Sequence, residues 1–193
     1  MVNEVRDFFD SLAERWDEMG QDPFPRVRFL LDRVGFRPGS RILDLACGTG
    51  VISGMLHDEY GGAVLGLDIS PKMIEVARRK FEGKEGVAFE VEDFLSPSFK
   101  GDFDYIVCYN AFPHFVDVDR FVEQIHDRLV DGGEFVIFHT LGRERLKEHH
   151  SGIGPNISRD LEPVEDEANK FARLLTVLAC DEGEDHIFIH GRK

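Results

Sequence analysis

A carboxylate and two glycines stand close together in the segment Asp44-Leu-Ala-Cys-Gly-Thr-Gly50. Gly48 and Gly50 lack the Cβ atoms that would keep a ligand away from the backbone. A short apolar run precedes them, as in a strand buried on both faces, and helical spacing resumes near Val51. A strand, a glycine turn and a helix in this order present backbone N–H groups and a helix N-terminus to a bound nucleotide. The segment therefore predicts nucleotide binding.

The spacing of the glycines limits which nucleotide can bind. A phosphate-binding P-loop requires a Gly-Lys-Ser/Thr ending, which the sequence lacks. The dinucleotide fingerprint G-x-G-x-x-G begins at Gly48, but Ser53 stands where its third glycine belongs. A nicotinamide-dependent oxidoreductase is therefore only an alternative.

A second carboxylate stands at the end of the next buried strand. The run Ala63-Val-Leu-Gly-Leu67 ends in Asp68, about 20 residues after the glycine turn, where an acidic side chain commonly accepts hydrogen bonds from ribose hydroxyls. Ser70 and Pro71 then suit the N-cap and the first position of a helix. A strand-end aspartate that only faces solvent is the alternative explanation.

Two further segments continue the pattern of strand followed by polar loop. The alternation from Val87 to Val91 predicts a strand near the sheet edge, and Asp93 follows it. Loops often carry an aspartate for turn formation alone, so Asp93 has a structural alternative. A fourth strand, Phe103-Asp-Tyr-Ile-Val-Cys108, leads into Tyr109-Asn-Ala-Phe-Pro-His114, at the crevice where open α/β sheets bind ligands.

These segments together resemble the class I S-adenosylmethionine-dependent methyltransferases of small molecules. Asp44-x-Ala-x-Gly48-x-Gly50 is similar to the first motif of that family, with Ala46 where a glycine is usual. Asp68-Ile-Ser-Pro-Lys-Met73 is similar to the second motif, and the Leu-x-x-Gly-Gly pattern from Leu129 to Gly133 also matches. The N-terminal segment 9–17 resembles the leader helix of these enzymes, so the resemblance covers essentially the whole chain.

The resemblance implies S-adenosylmethionine as cofactor and transfer of its methyl group to a small-molecule acceptor. Within this family an acid at the position of Asp93 binds the adenine amino group, and the next residue, Phe94, packs on the ring. An aromatic residue at the position of Trp16 lies beside the cofactor. The full set of cofactor-binding residues that we expect is Trp16, Asp44, Ala46, Cys47, Gly48, Gly50, Asp68, Ile69, Met73, Asp93, Phe94 and Asn110.

The candidates for a catalytic base are histidines. His114 is the first choice, because its loop would border the transferred methyl group, although a histidine that packs on adenine or caps the next helix explains it as well. His139, late in a strand, reads as a satisfied core histidine. His149 and His150 point to different sides of a helix and make a poor chelating pair, so we predict no metal site. We take His150, with His114, as a candidate catalytic residue.

The predicted fold class is α/β, a Rossmann-like, doubly wound, mostly parallel seven-stranded sheet with a C-terminal antiparallel hairpin. Strands at 176–180 and 186–190 form that hairpin. We expect one methyltransferase domain over residues 1–193: a helical lid at 1–36, a cofactor-binding core at 37–140, a substrate-lid insertion at 141–165, and a terminal helix and hairpin at 166–193. Helices are expected at 3–18, 26–34 and 165–175, with a break at Asp22-Pro-Phe-Pro25.

Composition narrows the function further. A net charge of −14 over 193 residues repels phosphate backbones, so we expect no nucleic-acid partner. The three cysteines form no C-x-x-C pair, and no apolar run approaches membrane-spanning length. The first residues lack the features of a signal peptide, which predicts a cytoplasmic protein. Asn110 is followed by Ala-Phe-Pro and not Pro-Pro-Tyr, which argues against amino-directed methylation of DNA or protein glutamine and leaves a small-molecule acceptor.

A third class stays open beside the methyltransferase and the oxidoreductase. A non-catalytic protein could keep the cofactor-binding fold as a scaffold or regulator. Sequence alone does not separate that class from an enzyme, and it does not predict the oligomeric state.

Overall fold

A seven-stranded sheet with helices on both faces forms the protein. The computed structural model describes residues 2–19 and 24–193. The strands are β1 Arg41–Leu45, β2 Ala63–Asp68, β3 Val87–Val91, β4 Phe103–Tyr109, β5 Leu129–His139, β6 Thr176–Gly183 and β7 His186–Arg192. The helices are α1 Val2–Leu12, α2 Trp16–Met19, α3 Phe24–Leu31, α4 Ser53–Asp58, α5 Pro71–Lys80, α6 Val118–Arg128, α7 Arg143–His149 and α8 Val164–Phe171. Short 3-10 helices occupy Ala13–Arg15 and Phe112–His114.

The sheet order is β3-β2-β1-β4-β5-β7-β6. Strands β1 to β5 run parallel, whereas β7 pairs antiparallel with both β5 and β6. The predicted fold class is therefore confirmed, including the terminal hairpin and the edge position of β3. The strand order reverses between β1 and β4, which opens a crevice at the carboxyl ends of these two strands.

Two apolar layers cover the faces of the sheet. Leu43 packs with Phe121 of α6 and Phe171 of α8 on one face. Its neighbour Ile42 packs with Leu30 of α3 on the other face. Successive side chains of a strand point to opposite faces, so a run that is apolar at every position is what a doubly covered sheet requires. This explains why β1 and β4 show no polar alternation in the sequence.

The N-terminal segment differs in detail from the single helix expected over 3–18. Its chain tightens into the 3-10 turn Ala13–Arg15 between α1 and α2. Helix α3 covers Phe24–Leu31, so it begins and ends earlier than the expected 26–34, and the chain then turns to Gly35, whose φ is 71°. Asp22 and Pro23, half of the expected break, lie outside the described residues.

The second half of the chain departs from expectation in two places. The turn at residues 131–133 does not precede β5 but belongs to it, because Gly132 N donates to the Lys193 carbonyl and Lys193 N donates to that of Gly133. Residues 141–165, expected as a substrate-lid insertion with His149 and His150 on a helix, do contain a helix, α7. The last helix, α8, ends at Phe171 and not near 175. The division of the chain into lid, core and insertion stays a prediction.

Within residues 2–19 and 24–193, the helices all fall short of the length and apolar character needed to cross a bilayer.

Candidate functional site

A cavity of about 390 Å³ lies at the carboxyl ends of β1, β2, β3 and β4. Parallel strands place their carboxyl ends along one edge of a sheet, where open α/β folds bind ligands. Every expected cofactor residue except Gly50 lines this cavity. They are Trp16, Asp44, Ala46, Cys47, Gly48, Asp68, Ile69, Met73, Asp93, Phe94 and Asn110. The structure therefore brings together side chains that are up to 94 positions apart in the sequence, from Trp16 to Asn110.

The two glycines of the turn have different surroundings. A Cβ on Gly48 would lie 3.4 Å from Trp16 Nε1, at the wall of the cavity. A Cβ on Gly50 would instead lie 2.9 Å from ring carbons of Phe81 and Phe89, inside the core. Gly50 also has a φ of 78°, in the left-handed region. Its expected role in letting a ligand approach is thus corrected, because packing and backbone conformation require this glycine.

Among residues 2–19 and 24–193, two residues other than glycine adopt left-handed backbone conformations, and both follow central strands. Ala46 has a φ of 56° after β1, and Asn110 has a φ of 52° after β4. Such conformations cost about 1–3 kcal/mol and concentrate at binding sites. The conformation of Ala46 explains why a glycine is usual at that position of the motif. Two hydrogen bonds join Asn110 to Thr140. The backbone N–H of Thr140 donates to Asn110 Oδ1 at 3.0 Å, and Asn110 Nδ2 donates to Thr140 Oγ1 at 3.2 Å.

Asp68 ties the glycine turn to the start of α5. Its carboxylate accepts from the backbone N–H of Gly48 at 2.8 Å and of Ser70 at 2.8 Å. A carboxylate has about four lone-pair sites, so acceptor capacity for a ribose hydroxyl remains. Burial raises the pKa of Asp68 to about 6 in spite of these donors. Ser70 caps α5 as expected, since its Oγ accepts from Met73 N at 3.1 Å.

Asp44 is a buried carboxylate with one side-chain partner. Ser53 Oγ donates to its Oδ2 at 2.5 Å. Burial, and to a smaller extent the charge of Asp68, raises the pKa of Asp44 to about 7. From the sequence, Ser53 was informative only as a missing glycine. Its role as hydrogen-bond donor to Asp44 is a contact that the spacing of nine residues did not reveal.

The N-terminal segment covers the cavity and is joined to it by two carboxylates. Asp10 Oδ1 accepts from Ser70 Oγ at 2.5 Å and from Lys72 N at 3.1 Å. Asp17 Oδ1 accepts from Thr49 Oγ1 at 2.6 Å, next to Gly48. Phe9 and Trp16 extend from the same segment into the lining of the cavity. This segment therefore forms one wall of the site.

His114 and His150 meet at the far side of the cavity, with ring centroids 5.2 Å apart. The Nδ1 atom of His114 lies 2.9 Å from the Ile157 carbonyl oxygen. A carbonyl only accepts, so Nδ1 carries the proton and Nε2 of the neutral ring has a free lone pair. Burial lowers the pKa of His114 to about 4 and also lowers that of His150. His150 Nδ1 is 2.9 Å from Ser158 Oγ.

The other histidines fit the site less well. His139 is fully buried but does not line the cavity, and within the described residues neither of its ring nitrogens has a hydrogen-bond partner. It is a core histidine, as expected, but within that part of the chain its ring nitrogens lack the hydrogen bonds that we expected. Burial lowers its pKa to about 3. His149 lines the cavity at an exposed position, and residues 2–19 and 24–193 contain no group of three or more side chains suited to a metal.

A buried ion pair that sequence reasoning missed supports the histidines. Arg159 donates to both carboxylate oxygens of Glu167, at 2.6 and 3.0 Å, and Glu167 is 1% exposed. Arg159 N also donates to the Pro113 carbonyl at 3.0 Å. These bonds fix the loop that carries Ile157 and Ser158 against the loop of His114. The eight-residue separation of the pair crosses an irregular loop and follows no periodic pattern.

The charge of the lining shows which cofactor the cavity suits. Asp44, Asp68, Glu92 and Asp93 line it, whereas no lysine or arginine does within the described part of the chain. The positions outside that part are Met1, Gly20, Gln21, Asp22 and Pro23, none of them basic. A pyrophosphate would find no cation here, but a nucleoside with a positive charge and no phosphate fits. S-adenosylmethionine has those properties through its sulfonium group.

The sheet order and the acidic cavity at the ends of β1 to β4 define the class I methyltransferase fold. Residues 42–133 match the family described as methyltransferase domain. By sequence and fold, the chain belongs to the class I S-adenosylmethionine-dependent methyltransferases. The resemblance deduced from the sequence is therefore confirmed, as is S-adenosylmethionine as the cofactor of the family.

Individual relatives agree with this family. A demethylmenaquinone methyltransferase of Thermus thermophilus is 37% identical over 138 residues, which are 67% of this chain and 62% of the relative. The putative methyltransferase in a complex with the Trm112 activator of Haloferax volcanii superposes with a TM-score of 0.82 at 22% identity, over 95% of this chain and 96% of that chain. The structure of phosphoethanolamine N-methyltransferase 2 of Haemonchus contortus in complex with S-adenosyl-L-methionine superposes with a TM-score of 0.80 at 19% identity. The superposition covers 98% of this chain and 60% of that chain.

The chain spans 57% and 62% of the length of two curated demethylmenaquinone methyltransferases that it matches.

Proposed function

We propose that this chain transfers a methyl group from S-adenosylmethionine to a small-molecule acceptor, with His114 as the general base. The observation that carries this proposal is that one cavity has two chemically different sets of lining residues. Asp44, Asp68 and Asp93 line it after β1, β2 and β3, whereas His114 and His150 line it from the segments after β4 and α7. A cofactor and an acceptor bound side by side need such a continuous space.

Each part of the lining has a role in this reaction. Asp68 and Asp93 accept hydrogen bonds from the ribose and the adenine, and Phe94 packs on the adenine ring. Gly48 leaves room beside Trp16 for the methionine chain. When bound, S-adenosylmethionine supplies the electrophilic methyl carbon. The protein contributes position, exclusion of water and a proton acceptor.

His114 has the geometry of a proton acceptor. Its ring is fixed at Nδ1 by the Ile157 carbonyl, so Nε2 is the nitrogen left to take a proton from the acceptor. Phe9 packs edge-on against the ring with centroids 4.9 Å apart, which further limits its rotation. His150 stands beside it as a second polar group for the acceptor.

Two alternatives are less well supported. A nicotinamide dinucleotide would bring a pyrophosphate to a cavity whose lining has four carboxylates and, among described residues, no cation. A non-catalytic scaffold would not need a fixed neutral histidine at the far end of the cofactor cavity. The net charge of −14 supports a small molecule over a nucleic acid as the acceptor. A cytoplasmic location stays a prediction.

Calorimetric titration tests the proposal most directly. We expect S-adenosylmethionine and S-adenosylhomocysteine to bind and NADH to give no heat of binding. The variant Asp68→Ala should lose the binding of both sulfur ligands, because it removes the link between Gly48 and Ser70. His126→Asn, outside the cavity, serves as control and should bind as the parent does. Binding of NADH alone would reject the methyltransferase function.

A further inference from the structure

The far side of the cavity has a lining of its own, which we call the acceptor end. It consists of Phe9 from α1, His114 and Phe115 after β4, Leu146 from α7, and His150 after α7. The four carboxylates of the cavity stand elsewhere, at the carboxyl ends of β1, β2 and β3. The acceptor end is therefore aromatic, apolar and imidazole-lined, and its chemistry limits the molecules that can bind there.

A charged acceptor has no counter-charge at this end. No lysine or arginine of the described residues lines the cavity, so a phosphate or carboxylate group would have no cationic side chain of the protein beside it. No carboxylate belongs to the acceptor end, so an ammonium group would also lack a partner and would lie beside the positive sulfonium. Burial of an unpaired charge costs several kcal/mol, on the order of the whole binding energy of a small molecule. The lining thus selects an uncharged acceptor.

The two histidines offer complementary hydrogen bonds to a hydroxyl group. Nε2 of His114 has a free lone pair, because Nδ1 donates to the Ile157 carbonyl. Within the described residues this Nε2 has no hydrogen-bond partner, and the atom is not fully buried. It is therefore open to the cavity that His114 lines. His150 is fixed at Nδ1 by the Ser158 hydroxyl, which leaves its Nε2 available as well. An O–H group can donate to the lone pair on His114 Nε2, and it can accept from His150 Nε2 in the tautomer in which the Ser158 hydroxyl donates to His150 Nδ1.

Because His114 is a weak base, the hydroxyl that gives it a proton must be relatively acidic. Burial lowers the pKa of its imidazole to about 4, which makes it a weak base. An aliphatic hydroxyl, with a pKa of about 16 like that of water, holds its proton too firmly for such a base. A phenol, with a pKa of about 10 like that of tyrosine, is far closer. A flat aromatic ring also suits the walls formed by Phe9 and Phe115.

We propose that the methyl acceptor is an uncharged aromatic hydroxyl compound of the phenol class, whose O–H group binds between His114 and His150. This inference rests on the methyl-transfer function proposed above. In the reaction the O–H bond breaks, its proton goes to His114 Nε2, and the oxygen forms a bond with the methyl carbon. The electron pair of the cleaved carbon–sulfur bond stays on sulfur, so atoms and charge balance. The proton then leaves the histidine for solvent.

Binding to the S-adenosylhomocysteine complex tests this proposal without any need for turnover. Four probes of one ring size, 4-fluorophenol, 4-fluorocyclohexanol, 4-fluorophenyl phosphate and 4-fluorobenzylamine, are titrated and followed by ¹⁹F NMR. We expect 4-fluorophenol to bind at least about tenfold more tightly than the other three, a difference of about 1.4 kcal/mol. Preference for the phosphate or the amine, or no binding of any probe, would overturn the proposal.

Matched variants identify the histidine as the cause. His114→Asn retains an amide near the position of Nδ1 but has no acceptor at the position of Nε2, so it should weaken 4-fluorophenol binding by about fivefold or more. Its affinity for S-adenosylhomocysteine should change less than twofold. His126→Asn is the control and should change neither. Unchanged 4-fluorophenol binding in His114→Asn would overturn the proposal, whereas failure of S-adenosylhomocysteine to bind the parent would reject methyl transfer itself.

Discussion

Asp10 in α1 accepts a hydrogen bond from the Ser70 hydroxyl, with 2.5 Å between Oδ1 and Oγ, and so joins the N-terminal wall of the site to the first turn of α5. Ser70 Oγ accepts from Met73 N at the same time. One hydroxyl thus caps a helix and holds the segment that carries Phe9 and Trp16. The wall and the Asp68 loop are coupled through a single side chain.

Loss of this bond should weaken cofactor binding. Asp10→Ala removes the acceptor for Ser70 Oγ and Lys72 N, and we expect the Kd for S-adenosylhomocysteine to rise by about three- to tenfold, or about 1 kcal/mol. Amide hydrogen exchange in α1 should become faster. Glu14→Ala is the matched control, because its pair with Arg79 is exposed and contributes little. Equal effects of both variants would contradict a specific role for Asp10.

Asp44 should make stability depend on pH. Its folded-state pKa, raised to about 7 from a usual 3.8 by burial, means that the folded protein holds this proton longer than the unfolded chain does. The free energy of unfolding therefore falls as pH rises between those two values. Asp44→Asn does not titrate and still offers Ser53 an acceptor. Relative to the parent it should gain about 2–3 kcal/mol, or roughly 5–10 °C in Tm, between pH 5 and pH 8.

Thermal unfolding at several pH values measures that difference. Ser53→Ala retains the carboxylate but removes the hydrogen bond that lowers its pKa, so its Tm should fall with rising pH at least as steeply as that of the parent, whereas His126→Asn is the control and should follow the parent. A constant difference in Tm between Asp44→Asn and the parent from pH 5 to pH 8 would show that Asp44 does not titrate in this range.

Binding of the cofactor should release protons near neutral pH. A cation bound beside Asp44 and Asp68 favours their charged forms, so each gives up the proton that burial retained, with pKa values of about 7 and about 6 in the free protein. Affinity for S-adenosylmethionine should therefore increase as pH rises from 6 to 8. Calorimetry at pH 6.5 in buffers of different ionisation enthalpy should show net proton release. Asp44→Asn should reduce it, and an affinity independent of pH in the parent would contradict this linkage.

Substitution of the two glycines of the turn should affect different properties of the protein. Gly50→Ala places a methyl group 2.9 Å from the rings of Phe81 and Phe89 and strains a φ of 78°, so it should destabilise the fold by about 2–4 kcal/mol. Gly48→Ala also strains a left-handed backbone, with a φ of 55°, but its Cβ meets only the Trp16 ring and Met73 Sδ, at 3.4 Å or more. Its larger effect should be on the Kd for S-adenosylhomocysteine. Denaturant unfolding and calorimetry on both variants separate the two effects, and a reversed pattern would contradict the assignment.

His139 should be replaceable by an apolar residue. Both of its ring nitrogens are buried without a partner among the described residues, which costs about 1–3 kcal/mol for each unsatisfied group. His139→Leu removes them at similar volume and should raise the Tm while leaving S-adenosylhomocysteine affinity unchanged. A lowered Tm would instead indicate a buried water bound to the ring, which denaturant unfolding of His139→Asn would then examine.

The sequence predicted for a physical reason which carboxylates line the cavity. Asp44, Asp68 and Asp93 each follow a buried strand, and the sheet order of the family brings the ends of those strands together. Local patterns and one known topology were enough to place them. Gly50 was misjudged because a glycine motif does not show which neighbours exclude a side chain, here Phe81 and Phe89.

The acceptor half depends on contacts that no local pattern contains. His114 is oriented by the carbonyl of Ile157, 43 positions later, and that loop is held by Arg159 and Glu167. A backbone carbonyl has no sequence signal, and the ion pair lies across an irregular loop. The sequence could therefore suggest His114, because a histidine stands in the loop after β4. Its tautomer, however, follows from the contact with the Ile157 carbonyl, which only the structure shows.

The N-terminal wall touches both halves of the cavity at once. Phe9 packs on the ring of His114, and Trp16 lies against Gly48, with the end of α1 and the 3-10 turn Ala13–Arg15 between them. Any displacement that uncovers one ligand uncovers the other. We therefore expect that the wall imposes no compulsory order of binding, because cofactor and acceptor become accessible in the same motion.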